Sequence, residues 1–509
     1  MNDFNDLKLA LNSHFPIVVI ETHEEGRALD LLSRAVVEGE RGLVKWTVTD
    51  GLVETSLSGE NSAGRLQDLR LEGDAPSPVQ STTDPQQALR RIRDAKAPAV
   101  FALLDFHHYL EEPVNIRLLK EVALDQHINQ HSIVLISHGI NLPDELSRSC
   151  AWFELSMPDE TRMYDLLRAE SKLWALKNQG AKVKADRQAM EMLAKNLLGL
   201  TVTDAKRLIR NAIHDDGAIT HADIPEIQKA KYALIGQDGL LSFEYETAHF
   251  SDVGGLQNLK QWLEKRRSHV VQSQDDAALD QPKGILLVGI QGGGKSLAAK
   301  AVAGVWGVPL LRLDFGVMYN KFFGETEKNM REALKLAEVM SPCVLWIDEI
   351  EKGIATGDYD SGTSRRVLGT LLTWMAENKA NVFIVATAND IQALPPELIR
   401  KGRLDEIFFV DLPDDAVRQD IFAIHLRKRG YQSEDFDLLR LSAASADFSG
   451  AEIEQAVVSA AYTAHALEAS MSNEHILAEL SQTKPLSIVM GERIAALRQW
   501  AERRTVPAN

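Results

Sequence analysis

Cysteine is almost missing from this chain: Cys150 and Cys343 are the only two in 509 residues. Two thiols make no disulfide framework, and the count fits a reducing compartment. Positive charge is also short, with 56 Lys and Arg against 73 Asp and Glu, a net −17. That balance argues against a general nucleic-acid or acidic-membrane binder, although a local basic channel is compatible with it. No apolar run reaches the ~20 residues a transmembrane helix needs. The opening Met1-Asn2-Asp3-Phe4-Asn5-Asp6 has no basic region before an apolar core, as a signal peptide would. The expectation is a cytoplasmic protein with no membrane span. The metalloprotease signature H-E-x-x-H is lacking too, so any proteolysis would need a separate partner.

What is present is more specific. Gly289-Ile290-Gln291-Gly292-Gly293-Gly294-Lys295-Ser296 fits G-x-x-x-x-G-K-[ST], a phosphate-binding loop. The apolar run Ile285–Val288 before it reads as a buried strand, and Leu297–Ala303 after it reads as a helix. In that setting the glycines let backbone N–H groups converge on phosphates, and the helix dipole favours negative charge. Lys295 is expected to reach the β- and γ-phosphates of a nucleoside triphosphate, and Ser296 to ligate Mg²⁺. About fifty residues later, Val344-Leu345-Trp346-Ile347 ends in Asp348-Glu349, an apolar strand closing on two carboxylates at the edge where open α/β sheets bind ligands. Asp348 can hold the metal's water shell, and Glu349 can polarise an attacking water.

Strands at Leu310–Leu313 and Val382–Ala386 and amphipathic helices over Glu325–Val339 and Arg366–Met375 complete an alternation that means a parallel sheet covered by helices. From about Asp414 helical patterns run to Arg504. The N-terminal half reads as a worn copy of the same plan. Phe15–Ile20 is its first strand, and Val100–Asp105 mimics the strand that ends in Asp348. Leu142-Pro143-Asp144-Glu145 echoes Leu394-Pro395-Pro396-Glu397, and Gly199–Ala205 echoes Asp447–Ile453. After its first strand, however, this copy reads Glu21-Thr22-His23-Glu24-Glu25-Gly26. Carboxylates stand where phosphates would sit, so it is expected not to bind nucleotide in the usual way. Two unrelated α/β domains sharing short Pro/Asp turns is the alternative. The expected division is a degenerate α/β domain at 1–160, its helical lid at 161–225, a linker at 226–251, an α/β ATPase core at 252–412, and a helical lid with C-terminal helices at 413–509. Residues 56–85 and 272–281 read as polar loops.

From Asp252 to about Arg504 the second half resembles the AAA ATPases, and the whole chain resembles a stand-alone group of them found in algal plastid genomes and bacteria. Asp252-Val253-Gly254-Gly255-Leu256 is similar to the family's opening signature beside the adenine. The resemblance implies that Gly289, Gly292, Gly293, Gly294, Leu297 and the lid turn Gly450-Ala451 contact the nucleotide. It implies that Asn389 is the sensor asparagine that orients the lytic water. It also makes Arg400 and Arg403 arginine fingers acting across the interface of a homo-hexamer, where a guanidinium fork stabilises spread phosphoryl charge. This chain departs from the common loop by Ile290-Gln291 and Ser296, has no arginine in the Gly450 turn, and pairs Arg148 with Ala151 at the finger positions of its first copy.

Lys321-Phe322-Phe323-Gly324 resembles the family's pore loop, in which Phe322 would grip unfolded polypeptide with Phe323 as its packing neighbour, and Gly324 with the polar residues nearby favours an exposed loop. The alternative is that both phenylalanines are core. Two functions follow: a hexameric remodeller or unfoldase of protein substrates, or a nucleotide-controlled assembly protein without threading. His127 with His131, and His107 with His108, are either a metal site or surface and capping residues.

Overall fold

The computed structural model describes the chain except residues 1, 14, 38–40, 57–66, 70–81, 182, 237–238, 272–279, 316–325, 355–360, 392–393, 399 and 401. Phe322, Phe323 and Gly324 therefore lie outside the described residues, as does most of the polar stretch 56–85. The chain divides into two compact units, Met1–Leu166 with Leu200–Arg207, and Leu167–Gly199 with Leu208–Asn509.

The first unit is built on a sheet of β1 (Ile17–Glu21), β2 (Gly42–Thr47), β3 (Gly51–Ser56), β4 (Gln67–Leu69), β5 (Ala99–Leu104), β6 (Ser132–Ser137) and β7 (Cys150–Glu154), in the order β4-β3-β2-β5-β6-β1-β7. Strands β2, β5, β6, β1 and β7 run parallel, and β3 and β4 extend the edge antiparallel. Every residue of β5 and β6 is buried, because helices cover both faces and the sequence answers with unbroken apolar runs rather than alternation.

The second unit opens with the small pair β8 (Lys184–Ala185) and β9 (Ala218–Ile219) among helices. Its main sheet holds β10 (Leu241–Phe243), β11 (Gly284–Gly289), β12 (Leu310–Leu313), β13 (Cys343–Ile347), β14 (Val382–Ala388), β15 (Glu406–Val410) and β16 (Val506–Pro507), ordered β10-β12-β13-β14-β11-β15-β16. The parallel core β12-β13-β14-β11-β15 repeats the order β2-β5-β6-β1-β7 of the first unit strand for strand. The internal copy read from short turns is thus a shared topology. Separate apolar clusters fill the two faces of the main sheet, and a third forms the core of the helices from Asp415 to Gln482.

The two copies differ where a phosphate loop would lie. In the second, Leu286 pairs with Ala386 and the next helix begins only at Lys295. In the first, Ile20 pairs with Ile136 and the helix begins at Glu25, a turn four residues shorter. The predicted linker 226–251 carries order of its own: helix Ile224–Ile235 and strand β10. The C-terminal stretch is not wholly helical, since after helix Gly491–Ala501 the chain adds β16 to the main sheet beside β15. No helix among the described residues is long and apolar enough to cross a membrane.

Candidate active site

β11 delivers the chain to its carboxyl edge at Gly289, where a Cβ would stand 2.0 Å from the Val410 carbonyl of β15. Only glycine permits that approach. Gly292 (φ +78) and Gly294 (φ +92) hold left-handed backbone, which folds the loop over the start of helix Lys295–Trp306. The Gly293 N–H closes the turn on Ile290 O at 3.1 Å. Lys295 is buried, and its Nζ donates to Gly289 O (3.0 Å) and Ile290 O (2.8 Å). Burial lowers its pKa to about 8, against the upward pull of Glu351, Asp348 and Glu349.

Across the sheet edge, β13 ends at Asp348 and Glu349, and β14, lying between β13 and β11, supplies Thr387 and Asn389. Thr387 Oγ1 donates to Asp348 Oδ1 (2.7 Å) and accepts the Glu349 backbone N–H (2.9 Å). Ser296 Oγ reaches the same Asp348 oxygen at 3.4 Å. Glu349 sits at φ +48, and its Oε1 accepts from the Asn389 side-chain amide at 2.9 Å while Oε2 pairs with Lys352. Glu351 is buried; its Oε1 accepts the Asn389 backbone N–H at 2.9 Å, and desolvation raises its pKa.

These groups line one cavity of about 760 Å³, in the range that encloses a ligand of nucleotide size. The predicted Asp252, Val253, Gly254, Gly292, Gly293, Gly294, Lys295, Ser296, Leu297, Asp348, Glu349, Asn389, Gly450 and Ala451 all face it. Gly289 does not; it holds Lys295 from beneath. The far wall comes from the helical lid. Ala451 N–H donates to Gly292 O at 3.2 Å, and a Cβ on Gly254 would meet Ile421 of the lid at 2.7 Å. Arg400 and Arg403 do not line the cavity: Arg400 is exposed, and Arg403 donates to Glu397 O. The cradle, the inward ammonium and the facing hydroxyl and carboxylates fit a nucleoside triphosphate with Mg²⁺.

Sequence reading missed Thr387, Glu351 and a further basic group. Arg312 of β12 lies over the Trp346 ring at 5.0 Å, with Nη2 3.7 Å from Asp348 Oδ2 and Nη1 3.9 Å from Glu244. Glu244 also pairs with Lys300 at 3.3 Å. The histidines go elsewhere. His127 Nδ1 contacts Leu124 O and His131 Nε2 contacts Ala95 O, each at 3.0 Å, and the helix between them stops at Asn129. His107 bonds Ser137 Oγ at 2.7 Å. Among the described residues no three His, Cys, Asp or Glu side chains are grouped to hold a metal ion.

Residues 285–412 match the family described as "ATPase family associated with various cellular activities (AAA)". Residues 4–155 and 161–238 match the N-terminal and second domains of SpoVK-like AAA ATPases. The chain is 37% identical over 507 residues to the uncharacterized AAA domain-containing protein ycf46 of Pyropia yezoensis, covering 98% of each. It is 34% identical over 508 residues to that of Guillardia theta, covering 98% of this chain and 95% of the relative. It also shares 37% identity over 228 residues with the proteasome-activating nucleotidase of Aeropyrum pernix, spanning 42% of this chain and 54% of the other.

Proposed function

Because the chain belongs to the AAA ATPase family, we propose that it hydrolyses ATP to ADP and phosphate at the cavity of its second unit, and that it spends the energy on remodelling protein substrates as a homo-hexamer. The observation that carries the reading is the convergence of Lys295 and Ser296 with Asp348, Glu349 and Asn389 on one cavity. Lys295 unfolds from its own loop carbonyls onto the β- and γ-phosphates, trading two neutral acceptors for charged ones. Ser296 and Asp348 would hold Mg²⁺, which supplies charge neutralisation on the phosphate oxygens. Glu349, positioned by Asn389 and by Thr387 through its backbone N–H, takes the proton of the attacking water. Arg400 and Arg403, which stand clear of their own cavity, act on the nucleotide of a neighbouring subunit, and Phe322 grips the substrate in the hexamer's channel.

The likeness to a proteasome-activating nucleotidase supports a protein substrate, and we place the protein in the cytoplasm or, as its plastid-encoded relatives allow, in a plastid stroma. ATP turnover measured against protein concentration, with light scattering for mass, tests the assembly. Turnover that rises as hexamers form is expected. Turnover by a monomer, independent of concentration, would discard the shared site and leave a nucleotide-controlled binding protein.

A further inference from the structure

The cavity has one wall that no nucleotide-binding motif of this chain accounts for. After the lid, helix Gly491–Ala501 carries the chain back over the main sheet, and Arg498 grips Asp411 through Nε (3.0 Å to both oxygens) and Nη2 (2.8 Å). The residues that follow form β16 beside β15, and Pro507, Ala508 and Asn509 then face the same cavity as Lys295. The phosphates are fixed at Gly292–Ser296, so these residues stand at the other end, with Asp252–Gly254, Val417, Ile421 and His425.

Their placement is heavily determined. Ala508 is 1% exposed within the apolar cluster of Val253 and Leu256. Its N–H donates to Phe409 O at 2.9 Å, and its carbonyl accepts the Leu259 N–H at 3.1 Å. Asn258 Nδ2 donates to Pro507 O (3.2 Å) and Asn509 O (2.7 Å). These bonds engage the Pro507 and Asn509 carbonyls and both main-chain groups of Ala508, and they hold the Asn509 side chain at the cavity. Its Nδ2 donates to Asp414 Oδ2 at 3.3 Å. A carboxylate only accepts, so the amide orientation is fixed and Oδ1 turns the other way, 3.2 Å from the position a Cβ would take on Gly255.

We propose that Pro507–Asn509 is the base-recognition wall of the nucleotide site, with Asn509 Oδ1 as the acceptor that selects adenine over guanine. The inference rests on the reading of this cavity as an ATP site. Adenine presents an amino group as donor on the edge where guanine presents a carbonyl oxygen. An acceptor held there bonds the first and repels the second, and polar complementarity of this kind discriminates far better than shape.

Equilibrium titration of the full-length chain with fluorescent ATP and GTP analogues tests it. The wild type is expected to bind the ATP analogue at least about tenfold more tightly than the GTP analogue. Asn509→Ala should bring the two affinities to within about threefold of each other, mostly by weakening ATP. Truncation after Thr505 should do the same and weaken both. Thermal melts identify a truncated chain that no longer folds, and Asn509→Ala, which leaves the main-chain bonds in place, then carries the result alone. A wild-type chain that binds the ATP analogue and an Asn509→Ala variant with the same ATP-to-GTP ratio would overturn the inference and leave the ATP site standing. A wild-type chain that binds neither analogue would remove the ATP site and this inference with it.

Discussion

The Asn389 side-chain amide donates to Glu349 Oε1 at 2.9 Å, while the backbone N–H of the same residue donates to Glu351 Oε1, also at 2.9 Å. One residue at the end of β14 therefore fixes two carboxylates from the β13 edge. Glu349 is the one that faces the cavity. Glu349→Gln keeps the shape and the Asn389 contact but cannot accept a proton. Nucleotide binding should persist within about twofold while turnover falls at least about 100-fold, the usual span of a lost general base. Single-turnover hydrolysis beside equilibrium binding checks this, and unchanged turnover would remove Glu349 from the chemistry.

Arg312 bears on the same edge from the other side. Its guanidinium lies 3.7 Å from Asp348 Oδ2 and is held by Glu244 of the segment after β10. A positive charge there competes with a divalent cation for the carboxylate, weakly, because both side chains are partly solvated. Arg312→Met should lower the Mg²⁺ concentration for half-maximal nucleotide binding by about two- to fivefold, since a surface-screened pair is worth under about 1 kcal/mol. A Mg²⁺ titration of nucleotide binding reads the effect, and an increased Mg²⁺ requirement would contradict it.

Much of this site was legible because it is local. A glycine loop between an apolar run and a helix, or a run that ends in Asp348-Glu349, needs no knowledge of distant residues. Thr387 was not legible: it reads as one more strand residue until β14 is inserted between β11 and β13, which carries its hydroxyl to Asp348 and to the Glu349 N–H. β16 was hidden for a related reason. Two residues containing a proline have no strand pattern of their own, and their pairing is imposed by Phe408 and Phe409. Lys231 misleads in the opposite direction. A lysine in a stretch read as linker is expected to be solvated, yet this one is 2% exposed on helix Ile224–Ile235, because the carbonyls of Leu198 and Val339 converge on its Nζ at 2.6 and 2.7 Å.

Lys231 makes stability depend on pH. Burial lowers its pKa from 10.5 to about 7. Between those values the unfolded chain binds a proton that the folded chain does not, so stability rises as pH rises from about 7 towards 10.5 and is lost as pH falls through 7. Lys295, lowered to about 8 by burial, adds the same sign over a narrower window. Lys231→Met should flatten the rise of unfolding temperature between pH 7 and 9. It should also lower the temperature at pH 9, where two buried carbonyls lose their donor. A slope identical to wild type would mean that Lys231 is not buried as described.

Arg400 is exposed and Arg403 is spent on Glu397 O, and neither faces its own cavity. If they serve a neighbour, damage to them can be complemented. Arg400→Ala/Arg403→Ala chains should bind nucleotide normally and turn over at least about 1000-fold slower. Lys295→Ala chains should not bind nucleotide. Mixed, the two should recover part of the activity, because an intact cavity on one subunit meets intact arginines on another. A mixture no more active than its components would confine the arginines to a structural role.

The first unit repeats the sheet but not the chemistry. Its turn after β1 is shorter, and Glu24, 8% exposed, projects a carboxylate into it. Glu24 Oε1 accepts the Val202 N–H at 2.7 Å, and Oε2 accepts from Arg27, which also holds Asp3 at 2.9 Å. Val202 begins the helix that corresponds to the one starting at Gly450. A built-in anion, tied to the start of that lid helix, thus occupies the turn where the second copy keeps its phosphate loop, and its charge repels a phosphate. Calorimetric titration of the full chain with ATP should therefore give one site per chain, and Lys295→Ala should abolish all of it. A second equivalent of binding that survives Lys295→Ala would show that the carboxylate yields to nucleotide, and Glu24→Ala would then be expected to strengthen that residual site.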